Sequence, residues 1–175
     1  MKKMVAALLV AVMILSLCSC SAGMTAAEKY LIAVKKLDMQ GLGTVQPMTE
    51  ILYRNLDDEE KATLLDLYAL LQYTIGEVSE ENGVKFVSVT LKTPDVKRIF
   101  DLVDKQILVS AETAQQVISG MLESGTIAKT MMTEKTFLVK MVETDGQWLV
   151  DSGVANQEFL DTVGLEAVMN SFVLN

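Results

Sequence analysis

Histidine is absent from this 175-residue sequence, and cysteine occurs only twice, at Cys18 and Cys20. The absence of histidine removes the commonest general base and the commonest metal ligand, so Ser-His-Asp and Cys-His catalysis are excluded. Because both cysteines lie near the N-terminus, a disulfide framework and a structural zinc site are excluded for the rest of the chain. We therefore expect no metal and no cofactor.

Positive charge is also scarce, since 15 Lys and Arg residues stand against 23 Asp and Glu residues and give a formal net charge of −8. Nucleic-acid binding requires a basic surface, so this balance argues against a nucleic-acid partner. Half of the residues are hydrophobic, which excludes a disordered acidic chain. The length fits one globular domain with a terminal extension.

The first twenty residues contain a basic pair, an apolar run and both cysteines. The basic pair Lys2-Lys3 precedes an apolar run over residues 4–17, which is short for a membrane span and typical of a secretory signal. The run ends in Leu17-Cys18-Ser19-Cys20, which is similar to a lipobox, with Leu three positions before the modified Cys and a small residue directly before it. The resemblance implies cleavage before Cys20, a diacylglycerol thioether on its sulfur, and anchoring on the extracytoplasmic face of the cell membrane.

This interpretation divides the chain into three parts. Residues 1–19 are predicted to be the signal peptide, residues 20–24 the lipidated cysteine with a short tether, and residues 25–175 a single domain. Cleavage removes two lysines and leaves 13 basic and 23 acidic residues, a net charge of −10. Because anionic lipid attracts basic segments, we expect the lipid anchor rather than the protein surface to hold the domain at the membrane.

Apolar residues recur at helical spacing in six segments of the mature chain. A capping-box pattern, Thr25 with Glu28, predicts the first helix start, and Gly41-Leu42-Gly43 is expected to end that helix. The acidic run from Asp57 to Glu60 favours a helix N-terminus over a metal site. The other predicted helices cover 44–56, begin at the caps Thr93 and Ser110, and run from Asn156 to Phe172 with a bend at Gly164.

Two β-hairpins interrupt the helices. Segments 73–78 and 84–93 flank Asn82-Gly83, and segments 136–143 and 147–151 flank Asp145-Gly146; both dipeptides are strong hairpin-turn signals. A two-residue second turn places Glu143 opposite Trp148, and Met141 opposite Val150. The element order predicts an α+β fold with a curved antiparallel sheet of about four strands, helices packed on one face, and a cone-like shape. The apolar residues 172–174 are expected to dock on the sheet or the mouth of the cone.

The segments from Val87 to Asp95 and from Phe137 to Asp151 resemble the hairpins of SnoaL-like, nuclear-transport-factor-like (cystatin-like) domains. The chain as a whole is similar to lipoproteins of Gram-positive gut bacteria that carry such a domain behind a lipobox. The resemblance implies a cone fold. Enzymes of that family place Asp with His or Tyr inside the cone, and without histidine no catalytic residue can be transferred to this sequence.

Five amphipathic aromatic residues are the candidates for lining a binding pocket, because each offers an apolar ring and a polar tip. Each of them also fits a predicted core stripe, so packing in the core is the alternative interpretation. The five residues are Tyr30, Tyr53, Tyr68, Tyr73 and Trp148.

Three hypotheses for function follow. The first is a non-catalytic, membrane-anchored lipoprotein that binds a small ligand or a cell-envelope protein at the cell surface. The second is a carboxylate-dependent hydrolase or isomerase, which requires at least two acids buried in one cavity with raised pKa values. The third is a scaffold that docks a partner on an exposed apolar sheet face.

Overall fold

The computed structural model describes residues 22–43, 45–108 and 113–173. Within these residues the fold consists of an open, four-stranded antiparallel sheet and nine α-helices, which confirms the predicted α+β class. The predicted signal peptide, the predicted lipidation site Cys20, the predicted cap Ser110 and Leu174 of the segment predicted to dock lie outside the described residues.

The elements follow one another without long connections. Their order is α1 (22–36), α2 (Met39–Gly43), α3 (Met48–Asn55), α4 (Asp58–Ala69), β1 (Gln72–Glu81), β2 (Val84–Pro94), α5 (Val96–Ile107), α6 (Ala114–Glu123), α7 (Thr126–Thr130), β3 (Met132–Thr144), β4 (Gln147–Val150), α8 (Gln157–Val163) and α9 (Leu165–Val173), with a 3-10 turn at Val154–Asn156 before α8.

The sheet is a meander in which the strand order equals the chain order, β1-β2-β3-β4. Both predicted hairpin turns are confirmed. Asn82 and Gly83 have φ angles of 53° and 77°, and Asp145 and Gly146 have φ angles of 52° and 76°, as the twist-matched type I′ turn requires. The register of the second hairpin is also the predicted one, with Glu143 opposite Trp148.

The helices pack on one face of the sheet. Side chains alternate between the two faces of each strand, so the burial pattern along a strand shows which face is covered. On β2 the residues Val87, Val89 and Leu91 are fully buried, and their neighbours in sequence are only half-buried. On β3 Val139 is buried, whereas the adjacent Leu138 points away from the helices and is 65% exposed. The core therefore lies between the helices and this single sheet face.

The first helix differs from its prediction at both ends. Residues 22–24 are already helical, so Thr25 lies inside α1 and does not cap it. The helix ends at Leu37, whose φ angle of 51° is left-handed, and the Asp38 carboxylate then accepts a hydrogen bond from the Gly41 N–H at 3.2 Å. Because Leu37 is buried, its core contacts offset the unfavourable backbone conformation.

Two helix caps in the middle of the chain also differ from expectation. The strand β2 continues through Pro94, and the cap of α5 is Asp95, whose side chain accepts from the Arg98 N–H. The cap of α6 is Thr113, which forms a capping box with Gln116. The acidic start of α4 is confirmed as a capping box formed by Asp57 and Glu60.

The C-terminal segment bends where the sequence predicts. Gly164 has a φ angle of 67° and separates α8 from α9. Phe172 is only 4% exposed, so the predicted docking of this side chain is confirmed, whereas Val173 is 41% exposed. The helix α9 packs against α3 and also contacts α4 and α6. The segment thus docks on other helices and not, as the sequence predicts, on the sheet or the cone mouth.

Candidate functional site

Two of the candidate tyrosines lie inside the protein core. The Tyr30 hydroxyl donates to Gln46 Oε1 at 3.0 Å, and the Tyr68 hydroxyl donates to the Val163 carbonyl oxygen at 2.9 Å. Burial raises the pKa of both phenols, and the negative charge of Glu166 adds to the rise at Tyr30. These hydrogen bonds satisfy the polar tips within the fold, so both tyrosines belong to the core.

The other two tyrosines lie at separate positions on the surface. Tyr53 on α3 is half-buried, with Lys61 Nζ 5.4 Å from its ring centroid. Tyr73 on β1 is half-buried opposite Leu91, and partial burial together with the charge of Glu28 raises its pKa. Neither ring lines the grooves described below, so the five candidates do not share one pocket.

A groove of about 700 Å³ separates α1 from the edge strand β4, and it is called the α1–β4 groove below. It brings together two of the candidates, Tyr30 from α1 and Trp148 from β4. Its lining consists of Ala22, Thr25, Ala26, Lys29, Tyr30, Ile32, Ala33 and Lys36 from α1, of Asp38, Gly41 and Val45 after it, and of residues 146–150.

The spacing of residues on α1 explains the groove. Ala22, Ala26, Lys29 and Ala33 recur three or four positions apart, which places them on one side of the helix. The alanine side chains are too short to fill the space toward β4, while larger residues such as Leu31 point into the core. An alanine stripe flanked by lysines is the sequence signal that could have indicated this groove.

Trp148 forms the β4 wall of the groove and is held by a buried cation. Lys85 on β2 is 7% exposed, and its Nζ lies 4.2 Å from the centroid of the indole ring. A desolvated cation–π contact of this kind contributes up to about 2 kcal/mol. The contact orients the Trp148 ring from inside the protein, so the ring is in place before a ligand arrives.

The free edge of β4 also faces the groove. The Asp151 N–H donates to the Lys140 carbonyl oxygen, so Asp151 occupies a hydrogen-bonded position opposite β3. Hydrogen-bonded and non-hydrogen-bonded positions alternate along an antiparallel pair of strands. Trp148 and Val150 therefore occupy non-hydrogen-bonded positions, and their N–H and C=O groups point away from β3. Beyond the end of β4 the Asn156 side chain forms hydrogen bonds with the backbone of β3. It accepts from the Lys140 N–H and donates to the Lys140 carbonyl, both at 2.8 Å.

The groove carries positive charge although the chain is acidic. Lys29 and Lys36 line it, and neither forms an ion pair with any residue that the structure describes. Asp38 is the one acidic residue of the lining, and its carboxylate accepts the Gly41 N–H of α2. The two lysines therefore remain available to an anionic ligand.

A second groove, of about 620 Å³, lies between α5 and the α8–α9 bend. Its lining includes the apolar Phe100 and Leu160 and the acidic Asp101, Asp161 and Glu166. None of these carboxylates is buried, and the same holds for every other Asp and Glu within the described residues. These residues also contain no group of three His, Cys, Asp or Glu side chains placed to hold a metal ion.

Comparison with protein-family models, curated proteins and solved structures finds no match to this chain. The likeness to SnoaL-like domains and to lipoproteins stays a prediction from the sequence. Among the residues that the structure covers, no helix has the length and hydrophobicity needed to span a membrane.

Proposed function

We propose that the protein is a lipid-anchored, extracytoplasmic binding protein without catalytic activity, and that the α1–β4 groove is its binding site. The anchoring rests on the lipobox-like Leu17-Cys18-Ser19-Cys20. The binding rests chiefly on one observation: the groove of this acidic chain presents a fixed tryptophan and two lysines that have no ion-pair partner among the described residues. A concave site with an aromatic wall and a few polar groups is typical of ligand binding.

The position of the groove relative to the predicted anchor supports this proposal. Ala22 lines one end of the groove, and Cys20 is only two residues away along the chain. Two extended residues span at most about 7 Å, so a lipid on Cys20 would hold the groove close to the membrane surface. A ligand within the cell envelope would be in reach of such a site.

The hydrolase or isomerase hypothesis finds less support. It requires two carboxylates that share a water-poor cavity, so that the pKa of one of them rises into the working range. The acidic residues of the second groove, Asp101, Asp161 and Glu166, are exposed or half-buried. We therefore retain binding as the proposed function.

The anchoring is tested with two cysteine variants in the native host. Cys20→Ala should release the protein from the membrane fraction, because the predicted lipid attachment site is lost. Cys18→Ala is the matched control and should remain in the membrane fraction. Equal membrane retention of both variants would refute the anchoring at Cys20.

The binding site is tested by cross-linking in cells. Ile32→Cys places a thiol in the groove, at a side chain that is 36% exposed, and Val154→Cys places one outside it, at a side chain that is 90% exposed. Both variants are labelled with a maleimide photocross-linker on intact cells. A defined adduct from Ile32→Cys alone would support the proposal, and equal adducts from both, or none from either, would contradict it.

A further inference from the structure

The two edge strands of the sheet, β1 and β4, differ in how well they could pair with a further strand. The β1 edge has an irregularity between Ile75 and Val78 and carries Glu77, Glu80 and Glu81. Bulges and charges of this kind protect an edge strand from pairing with another chain. The β4 edge, with the sequence Gln147-Trp-Leu-Val150, is regular and uncharged. The β4 edge is short, at four residues, but it lacks a bulge and charged side chains, so it is the better suited of the two edges to accept a further strand.

The β4 edge offers backbone hydrogen bonds inside the α1–β4 groove. Trp148 and Val150 direct their N–H and C=O groups away from β3, and both residues line the groove, where Trp148 is half-buried and Val150 is 3% exposed. The four residues of β4 extend over about 13–14 Å. An extended peptide of four or five residues would thus match β4 and form backbone hydrogen bonds with every second residue, as in other complexes formed by strand addition.

The opposite wall of the groove indicates the charge of such a peptide. Lys29 and Lys36 are seven residues apart on α1, which corresponds to about 10.5 Å along the helix axis. Side chains on one face of an extended peptide are about 6.6–6.8 Å apart. Flexible lysine side chains can therefore reach two acidic residues at alternate positions of the peptide.

The small residues between the lysines indicate where the peptide backbone lies. Ala26 and Ala33 are buried, and their methyl groups leave the space between α1 and β4 unfilled. A strand placed there would contact the floor of the groove with one of its faces and would leave the other face toward solvent. Alternating side chains therefore suit this groove better than a uniformly apolar segment.

From this geometry we propose that the ligand of the α1–β4 groove is an extended, acidic segment of a cell-envelope protein, which adds to β4 as a fifth strand. This inference rests on the proposed binding function and specifies the partner. The segment would present acidic residues at alternate positions toward Lys29 and Lys36, and its backbone would pair with Trp148 and Val150.

The test uses the full-length protein in detergent micelles and an eight-residue peptide of alternating Thr and Glu. Trp148 is the only tryptophan of the chain, so its fluorescence reports occupancy of the groove directly. The acidic peptide should change the emission in a saturable manner. The same peptide with Lys in place of Glu should leave the emission unchanged.

Matched charge variants test the role of the lysines. Lys29→Glu replaces an attraction with a repulsion and should weaken peptide binding about tenfold. Lys35→Glu makes the same change in net charge on the same helix, outside the groove lining, and should change the affinity by less than about twofold. Equal weakening by both variants would contradict a local role of Lys29.

N-methylated peptides test the backbone pairing. One peptide is methylated on the Glu amides and another on the Thr amides, so each blocks hydrogen bonding along only one edge. Strand addition predicts that one peptide fails to bind and the other binds as before. Equal binding of both peptides, or competition by the small dicarboxylate succinate, would overturn strand addition and identify a small-anion site. If neither the parent nor the methylated peptides bind while Ile32→Cys still gives its adduct in cells, this inference fails and the proposed function stands.

Discussion

Substitution of Gly164 by Ala should destabilise the protein for two separable reasons. A φ angle of 67° is unfavourable for a residue with a Cβ atom, by about 1–2 kcal/mol. The new Cβ would also lie only 2.7 Å from Val96 Cγ2 and 3.1 Å from Val96 Cβ, and overpacking of this kind costs about 1–3 kcal/mol. We therefore expect Gly164→Ala to lower the free energy of unfolding by about 2–5 kcal/mol.

Gly83→Ala is the matched control, because Gly83 has a φ angle of 77° but no described atom within 4 Å of the place that the new methyl group would occupy. The control has only the cost of the unfavourable backbone conformation. The free energy of unfolding of Gly164→Ala should therefore be lower than that of Gly83→Ala by about 1–3 kcal/mol. Urea unfolding measures this difference, and the thermal midpoint should differ by about 2–4 °C per kcal/mol. In the Val96→Ala background the difference should shrink, since the contact at 2.7 Å with Val96 Cγ2 is removed while the contact with Cβ stays. Equal destabilisation by both glycine variants would refute the reasoning.

Three further substitutions test polar groups of the fold. Asn156→Asp keeps the shape of the side chain but removes the donors to the Lys140 and Asp151 carbonyls, and urea unfolding should show a loss of about 2–4 kcal/mol. Thr93→Val removes a buried hydroxyl that has no hydrogen-bond partner among the described residues, and the unfolding free energy should rise by about 1 kcal/mol. The hydrogen bond from Lys140, together with the Gly153 N–H, lowers the pKa of Asp151, so its carboxylate stabilises the fold above the usual Asp pKa of about 3.9. The stability difference between the native protein and Asp151→Asn should thus be constant near neutral pH and vanish as the pH falls through the lowered pKa.

The hairpins could be predicted from the sequence because their determinants are local. Asn82-Gly83 and Asp145-Gly146 supply the positive φ angles of a type I′ turn, and a two-residue turn fixes the register of the strands beside it. Glu143 is therefore opposite Trp148 in the structure, as in the sequence interpretation. Such features require no knowledge of the rest of the chain.

Boundaries that depend on distant partners could not be predicted in this way. Thr93 and Pro94 have the local signature of a helix start, but both pair with β3, where Pro94 lies opposite Met132. The helix cap is therefore Asp95, two residues after the predicted cap Thr93, and the helix begins at Val96. The pairing partner is nearly forty residues away in sequence, so no local pattern contains this information.

The candidate site was predicted only in part for a similar reason. Tyr30, Tyr68 and Trp148 all fit periodic apolar stripes, and the sequence cannot tell which ring fills the core and which faces a groove. Tyr68 is sealed by its hydrogen bond to Val163, whereas Trp148 lies on an edge strand next to α1. The contact of Lys85 with Trp148 joins β2 to β4 across β3, and it arises only once the sheet has formed.

The proposed anchor and the charge of the domain act together on the α1–β4 groove. A lipid on Cys20 would pull the N-terminal end of α1 toward the bilayer, and the net charge of −10 that the predicted cleavage would leave would repel the remaining surface from anionic lipids. Lys29 and Lys36 are opposite in sign to the net charge of the chain, so they attract an acidic partner to the groove. Electrostatic attraction between exposed charges decays over about 8–10 Å at physiological salt, so the lysines act on a segment that is already close. Binding by the proposed mode therefore depends on backbone pairing with β4 for stability and on the two lysines for selectivity.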